Sequence, residues 1–139
     1  MSDHEEQTSA QQEALARGRA LRRKVFGPMP PSASEQAAPH LREISDAVLF
    51  GDVWSRPGLE VWERSMVTIA ALTALGRDKQ LEAHIRGGLN VGLPREKLIE
   101  MLMHLAFYCG FPAANSALAV AHKVFAEVDA ADGSRSTNA

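Results

Sequence analysis

The sequence predicts an all-α domain. Apolar residues recur three or four positions apart, as at Leu41, Ile44 and Val48. Glycine and proline punctuate these segments at Gly76, Gly92, Pro94, Gly110 and Pro112, where they stop one helix or open the next. Strand-type alternation is almost absent.

Six helices follow in order. The first covers about Ala10 to Val25 and carries a basic face with Arg17, Arg19, Arg22, Arg23 and Lys24. The prolines of Gly27–Ser34 (GPMPPSAS) forbid its continuation. The second runs from Pro39 to Val53, with Leu41, Ile44, Val48 and Leu49 as its apolar stripe. The third, Leu59–Leu75, is nearly all apolar in its second half, which marks it as the core helix. Asp78 is placed to cap the fourth, Lys79–Val91. Pro94 fits the first turn of the fifth, with Glu96 favourable at its positive end. The sixth runs from Pro112 to Val128 with Ala113, Ala117, Val120 and Val124 on its apolar face. Residues 1–9 and 129–139 are polar and are expected to be disordered tails around a single domain at 10–128. Six amphipathic helices, one of them apolar nearly all round, leave more apolar surface than one small bundle hides. Self-association would bury it.

Composition narrows the function. The chain has 139 residues, 45% apolar and 23% charged, with a net charge of −2. That is one globular domain without a basic face for nucleic acid. Cys109 is the only cysteine, so it cannot form an internal disulfide or a CxxC pair. The opening MSDHEEQTSAQQE is acidic, unlike a secretory signal. The longest apolar run, Met66–Leu75, is too short to cross a bilayer. The expected location is the cytoplasm, with no membrane or nucleic-acid partner.

Several residues could carry chemistry. His84 lies beside the apolar face of the fourth helix, either as a core histidine bonded to a carbonyl or as a proton carrier. Gly87 and Gly88 follow it mid-helix, where each costs on the order of 1 kcal/mol against Ala. A close helix crossing or room for a ligand would explain them. Arg86 is expected to be solvated. His104 and Tyr108 are one turn apart on the fifth helix, as part of a packing stripe or as a pocket wall with two proton-bearing groups. Cys109 reads as an inert thiol. The stretch Trp54-Ser55-Arg56-Pro57-Gly58 sets an aromatic ring and a guanidinium before a turn. It is a packed cap or an anion-binding corner, and Arg56 and Arg64 are the candidate carboxylate ligands. The five histidines show no metal-ligand spacing, and neither a phosphate-cradling loop nor a nucleophile elbow occurs.

From Gly51 to Val128 the sequence resembles the carboxymuconolactone decarboxylase family. The resemblance rests on GDVWSRPGLE (51–60), RSMVTIAALTALGR (64–77), LEAHIRGGLNVGLP (81–94) and MHLAFYCGFPAANSALAVA (103–121). The WxRPGL and YCGFPAAN elements resemble the decarboxylase branch, as does the opening GRALRRKVFG (18–27). The resemblance implies the AhpD-like all-α fold in a symmetric homo-oligomer, a trimer or hexamer. It implies a carboxy-lyase of aromatic-compound catabolism that converts 4-carboxymuconolactone to β-ketoadipate enol-lactone and CO2 without a cofactor or metal. The sister branch of thiol peroxidases uses a Glu, a CxxC pair and a His. Aligned on His84, the cysteine positions hold Arg77 and Gln80 and the glutamate falls near Ser65, so that redox cycle lacks its thiols.

The implied site gives His84, His104 and Tyr108 catalytic roles, and Trp54, Arg56 and Arg64 substrate-binding roles. One departure stands out. Family members continue after the first helix with a stretch like LGDAHVDR, whereas this chain has FGPMPPSASEQAAPH (26–40). That favours one alternative, another enolisable cyclic acid as the substrate of a decarboxylase or isomerase; a non-catalytic oligomeric binding protein is the other.

Overall fold

The structure is a computed structural model and describes residues 3–137. The described residues contain helices and no strand, so the all-α expectation holds. The elements are α1 (Asp3–Phe26), α2 (Ala33–Ala37), α3 (Pro39–Ile44), a π-helical segment (Ser45–Val53), α4 (Val61–Ala74), α5 (Asp78–Asn90), α6 (Arg95–Cys109) and α7 (Phe111–Thr137). The outer helices are longer than predicted, with α1 starting at Asp3 and α7 ending at Thr137. Helix thus extends into both expected tails; residues 1, 2, 138 and 139 lie outside the described residues. The chain divides into two compact units, one up to Arg64 and one from Ser65 on.

The first unit is built on α1 lying against the π segment. The two backbones come into near contact, which only glycine permits. A Cβ on Gly18 would stand 1.6 Å from the Asp46 carbonyl oxygen, and one on Gly51 would stand 2.1 Å from that of Ala14. Arg17 Nε locks the same crossing by donating to Gly51 O at 2.8 Å. Val25, Phe50 and Trp54 complete the packing. The Phe26 and Phe50 rings meet edge to face at 6.0 Å, and the Phe50 and Trp54 rings lie tilted to each other at 5.2 Å.

The predicted apolar stripe of the second helix is corrected here. Leu41, Ile44, Val48 and Leu49 are exposed, and the buried residues of the π segment are Asp46, Phe50 and Gly51. The π segment bonds i to i+5, as where Trp54 N–H donates to Leu49 O at 2.8 Å. Each turn therefore holds an extra residue, and a stripe counted at α-helical spacing rotates off the packed face.

The proline-rich connection is also more ordered than predicted. Ser32-Ala33-Ser34-Glu35 forms a capping box at α2: Glu35 N–H donates to Ser32 Oγ at 3.3 Å, and Ser32 N–H donates to Glu35 Oε2 at 2.7 Å. Glu35 then pairs with Arg22 of α1, and Arg22 reaches Asp46 at 3.1 Å. Burial pushes the Glu35 carboxyl up, but the Arg22 guanidinium and the Ser32 N–H outweigh it and hold its pKa at about 2.

In the second unit α5 and α6 pack against α7. Ala114, Ala117, Ala121 and Val124 form the buried face of α7, and their small side chains let Leu81, Ile85, Leu98 and Leu102 close over them. This shifts the predicted face, since Ala113 and Val120 are only half-buried. Gly76 and Gly92 end α4 and α5 as expected, at φ of +65° and +94°. Asp78 is the first residue of α5, with Arg77 as its N-cap residue. Arg86 is not simply solvated: it pairs with Glu127 of α7, while Lys123 of α7 binds Glu82 at 2.9 Å. These pairs lie on the surface and fix register more than they add stability.

The expected core helix is inverted in polarity. The buried residues of α4 are Ser65, Ile69 and Thr73, whereas Val67 and Leu75 are 62% and 68% exposed. Thr73 is accommodated because its Oγ1 donates to Ile69 O at 2.8 Å.

Two predictions follow from the first unit. Gly18→Ala should lower stability in denaturant unfolding by about 3 kcal/mol or more, since the added methyl meets backbone that cannot swing aside. An unchanged midpoint would remove the crossing as a determinant of the unit. Glu35 has a folded pKa below its ordinary 4.5, so its stabilisation is present above 4.5 and is lost as pH falls toward 2. Thermal melts of Glu35→Gln should accordingly show a weaker loss of Tm over that interval than the parent chain, and parallel curves would exclude the pairing as the cause.

Candidate active site

The corner between the π segment and α4 is held from several sides. Ser55 Oγ donates to Gly51 O at 2.8 Å, and Arg64 Nη2 donates to Arg56 O at 2.8 Å. Glu60 N–H donates to Glu63 Oε2 at 2.8 Å at the start of α4. The corner is thus a fixed turn.

Trp54 and Arg56 line an open cleft of about 530 Å³. Trp54 is buried against Phe50 and gives the cleft an apolar wall, while Arg56 is exposed. The opposite wall comes from α1, where Arg17 and Lys24 add two positive charges, with Glu60 as the carboxylate present. Three cations against one carboxylate make a setting for a small anion, and the fixed corner holds the Arg56 backbone from which the exposed guanidinium extends. Arg64 does not line this cleft. It reaches the Arg56 carbonyl, which makes it a positioning residue in the described geometry.

Arg17 and Lys24 were missed as site residues. The sequence showed them on a basic helix face. Their seven-residue spacing, with Leu21 of the same cleft between them, was the available signal.

In the second unit, His84 lies half-buried on the face of α5 that carries Leu81, Ile85 and Gly88. Burial lowers its pKa from the ordinary 6.5, so the imidazole is neutral at pH 7. Gly88 is explained by packing: a Cβ there would stand 2.9 Å from Leu93 Cδ2 and 3.4 Å from Ser65 Cβ. The close-crossing explanation therefore accounts for that glycine.

His104 and Tyr108 are brought together on α6, stacked at 4.8 Å between ring centroids. Both are exposed, beside exposed Met103, Phe107 and Phe111. Cys109 is half-buried and free. Among the described residues no group of three or more His, Cys, Asp or Glu side chains could hold a metal ion. No helix among them is long and apolar enough to cross a membrane.

The depressed pKa of His84 has a definite sign. The unfolded chain takes up the proton first as pH falls, so the native state loses stability on acidification through the range near 6.5. NMR titration of the His84 ring should give a midpoint below that of an ordinary imidazole. His84→Gln should flatten the corresponding loss of Tm. A midpoint at or above 6.5 would contradict the burial account.

Comparison with known proteins identifies the family. The model of the carboxymuconolactone decarboxylase family matches residues 39–123. The chain is 46% identical over 79 residues to 4-carboxymuconolactone decarboxylase of Acinetobacter baylyi, covering 57% of this chain and 59% of that protein. It is 33% identical over 95 residues to nitrosuccinic acid decarboxylase npaB of Metarhizium robertsii, covering 66% of each. An uncharacterized 15.0 kDa protein of the nqo9-nqo10 intergenic region in Paracoccus denitrificans is 30% identical over 99 residues, with 70% of this chain and 74% of that protein covered. The matched stretch thus spans 59% and 66% of the first two relatives. With most of its length under the family model and these relatives beside it, the chain belongs to the carboxymuconolactone decarboxylase family.

Proposed function

We propose that this chain is a decarboxylase of a small cyclic acid, with 4-carboxymuconolactone as its substrate and β-ketoadipate enol-lactone and CO2 as products, in the protocatechuate branch of aromatic catabolism. The observation that carries the reading is the Trp54–Arg56 corner. It lines an anion-favouring cleft with Arg17 and Lys24, as binding of a small dianion requires. The 46% identity to a protein of that name supports it.

The chemistry needs little beyond side chains. The leaving carboxylate sits on the carbon γ to the lactone carbonyl, joined through a double bond. When its C–C bond breaks, CO2 departs and the electron pair spreads as a dienolate onto the lactone oxygen. A proton delivered to the α carbon moves the double bond and completes the product. The substrate is its own electron sink, so no cofactor is called for.

Arg56 is assigned the carboxylate and Trp54 the apolar wall. Arg64 holds Arg56 in place through the 2.8 Å bond to its carbonyl. His84 is assigned the proton. Its burial favours the neutral ring, and the negative charge of a bound dianion favours the imidazolium that delivers the proton. His104 or Tyr108 is assigned stabilisation of the enolate oxygen or relay of the proton. We further propose that copies associate in a symmetric ring, a trimer or hexamer. The exposed Val67 of α4, Leu75 just after it, Phe107 of α6 and Phe111 at the start of α7 support this, because such residues normally find cover. A cytoplasmic location belongs to the same proposal.

A second reading, a different enolisable acid, is favoured by one observation. The segment 26–40, which departs from the family pattern, lies outside the family match except for its last two residues, and the npaB relative is named for another acid.

The test is direct assay of freshly generated 4-carboxymuconolactone with protein whose mass has been fixed by light scattering. Turnover by an oligomer is expected. His84→Ala should lower kcat by about 10²–10⁴-fold with the fold retained. Arg56→Ala should mainly raise KM. Absence of turnover by folded wild type removes this substrate, and turnover of another enolisable acid would establish the second reading. If both variants stay fully active, neither residue acts as assigned.

A further inference from the structure

We infer that the first unit contains a second anion site, separate from the Trp54–Arg56 cleft, that takes a small organic carboxylate on an apolar body. The inference does not rest on the decarboxylase reading. It starts from a cavity of about 410 Å³ between the last turns of α1, the Gly27–Met29 connection and the start of the α3–π run.

Charge is the first argument. Arg19, Arg22, Arg23 and Arg42 line this cavity, against the carboxylates of Glu43 and Asp46. Those two carboxylates are already engaged: Asp46 accepts from Arg22 at 3.1 Å, and Glu43 meets His40 Nδ1 at 3.2 Å. Arg22 is itself spent on Glu35 and Asp46. Arg19 and Arg23 have no carboxylate in ion-pair range among the described residues. They stand one turn apart on α1, about 6 Å along its axis, and both are exposed to an incoming ligand.

The second argument is a further guanidinium in the wall. Arg42 Nη2 donates to Met29 O at 3.4 Å, and its Nη1 is buried 3.8 Å from Glu35 Oε2. A carboxylate in the cavity would meet this group beside Arg19 and Arg23.

The third argument selects the ligand class. Phe26, Pro28, Met29 and Pro39 form the rest of the wall. Inorganic phosphate would use only the guanidinium groups. A carboxylate carried on a ring or short chain would use both surfaces, and the volume accommodates a molecule of that size. Arg19, Arg23, Phe26 and Met29 all precede residue 39, where the family match begins. The other wall, with Pro39, Arg42, Glu43 and Asp46, lies at the start of that match, so the cavity spans its boundary.

The experiment is an NMR titration of the full-length chain in the Arg56→Ala background, which removes a guanidinium of the other cleft. Benzoate is the probe, with phosphate as the inorganic comparison at constant ionic strength. The reporters are the Gly27 amide and the Met29 methyl group. Saturable shifts at both reporters are expected with benzoate, with phosphate binding more weakly. Affinity should fall at least tenfold in Arg19→Ala/Arg23→Ala. Met29→Glu, at an exposed position, should block the same shifts by placing a carboxylate at the mouth, which keeps the test decisive if the double variant does not fold. Unsaturable shifts, undiminished binding in either folded variant, or phosphate binding as tightly as benzoate would overturn the inference.

Discussion

The near contact of α1 with the π segment governs the first unit. Backbone meets backbone where Gly18 faces Asp46 and Gly51 faces Ala14. That approach brings Arg17 within reach of the Gly51 carbonyl and Arg22 within reach of Asp46. It also sets Arg17 and Lys24 across from Trp54 and Arg56. Any side chain at either glycine would separate the helices and open both cavities. The cleft thus depends on two missing side chains, beside Arg17, which bonds the Gly51 carbonyl.

The π segment is the other half of this arrangement. Inserting a residue into each turn costs hydrogen-bond geometry and is rare without a local reason. Here it buries Asp46, Phe50 and Gly51 toward α1 and turns Val48 and Leu49 outward, continuing the exposed Leu41 and Ile44 of α3. The outward residues join a broader pattern. In α4 Ser65 and Thr73 are buried while Val67, and Leu75 just past the helix end, are exposed. The core is apolar elsewhere, with Leu81, Ile85, Leu98 and Leu102 fully buried, so these exposed residues stand out as surface available for contact. Under the proposed ring, these surfaces are interior surfaces of the assembly.

Each unit has its own polar chemistry. In the first, the corner and α1 gather positive charge, with Arg64 bonded to the Arg56 carbonyl. In the second, burial favours the neutral ring of His84. Glu35 plays a different part. Its capping box and its pairing with Arg22 order the proline-rich connection that departs from the family pattern, and so shape the wall of the second cavity.

Much was legible in the sequence because it is local. Helical spacing, Gly76 and Gly92 as stops, and the Trp-Ser-Arg-Pro-Gly turn are properties of neighbouring residues. The family motifs around Arg56 and His84 are likewise contiguous strings. The Ser32–Glu35 capping box was equally local and was obscured by the prolines around it. What the sequence could not determine depends on residues far apart in the chain. The π register follows from the pairing of Gly18 with Gly51, thirty-odd positions apart, and it reversed the predicted apolar stripe. The partnership of Arg17 and Lys24 with Arg56, and the exposure of Val67 and Leu75 on an apolar helix, were set by which face each helix packs. Periodicity specifies that a helix has a buried face; only tertiary packing decides which face that is, because side-chain volume and backbone approach are settled between helices and not within them.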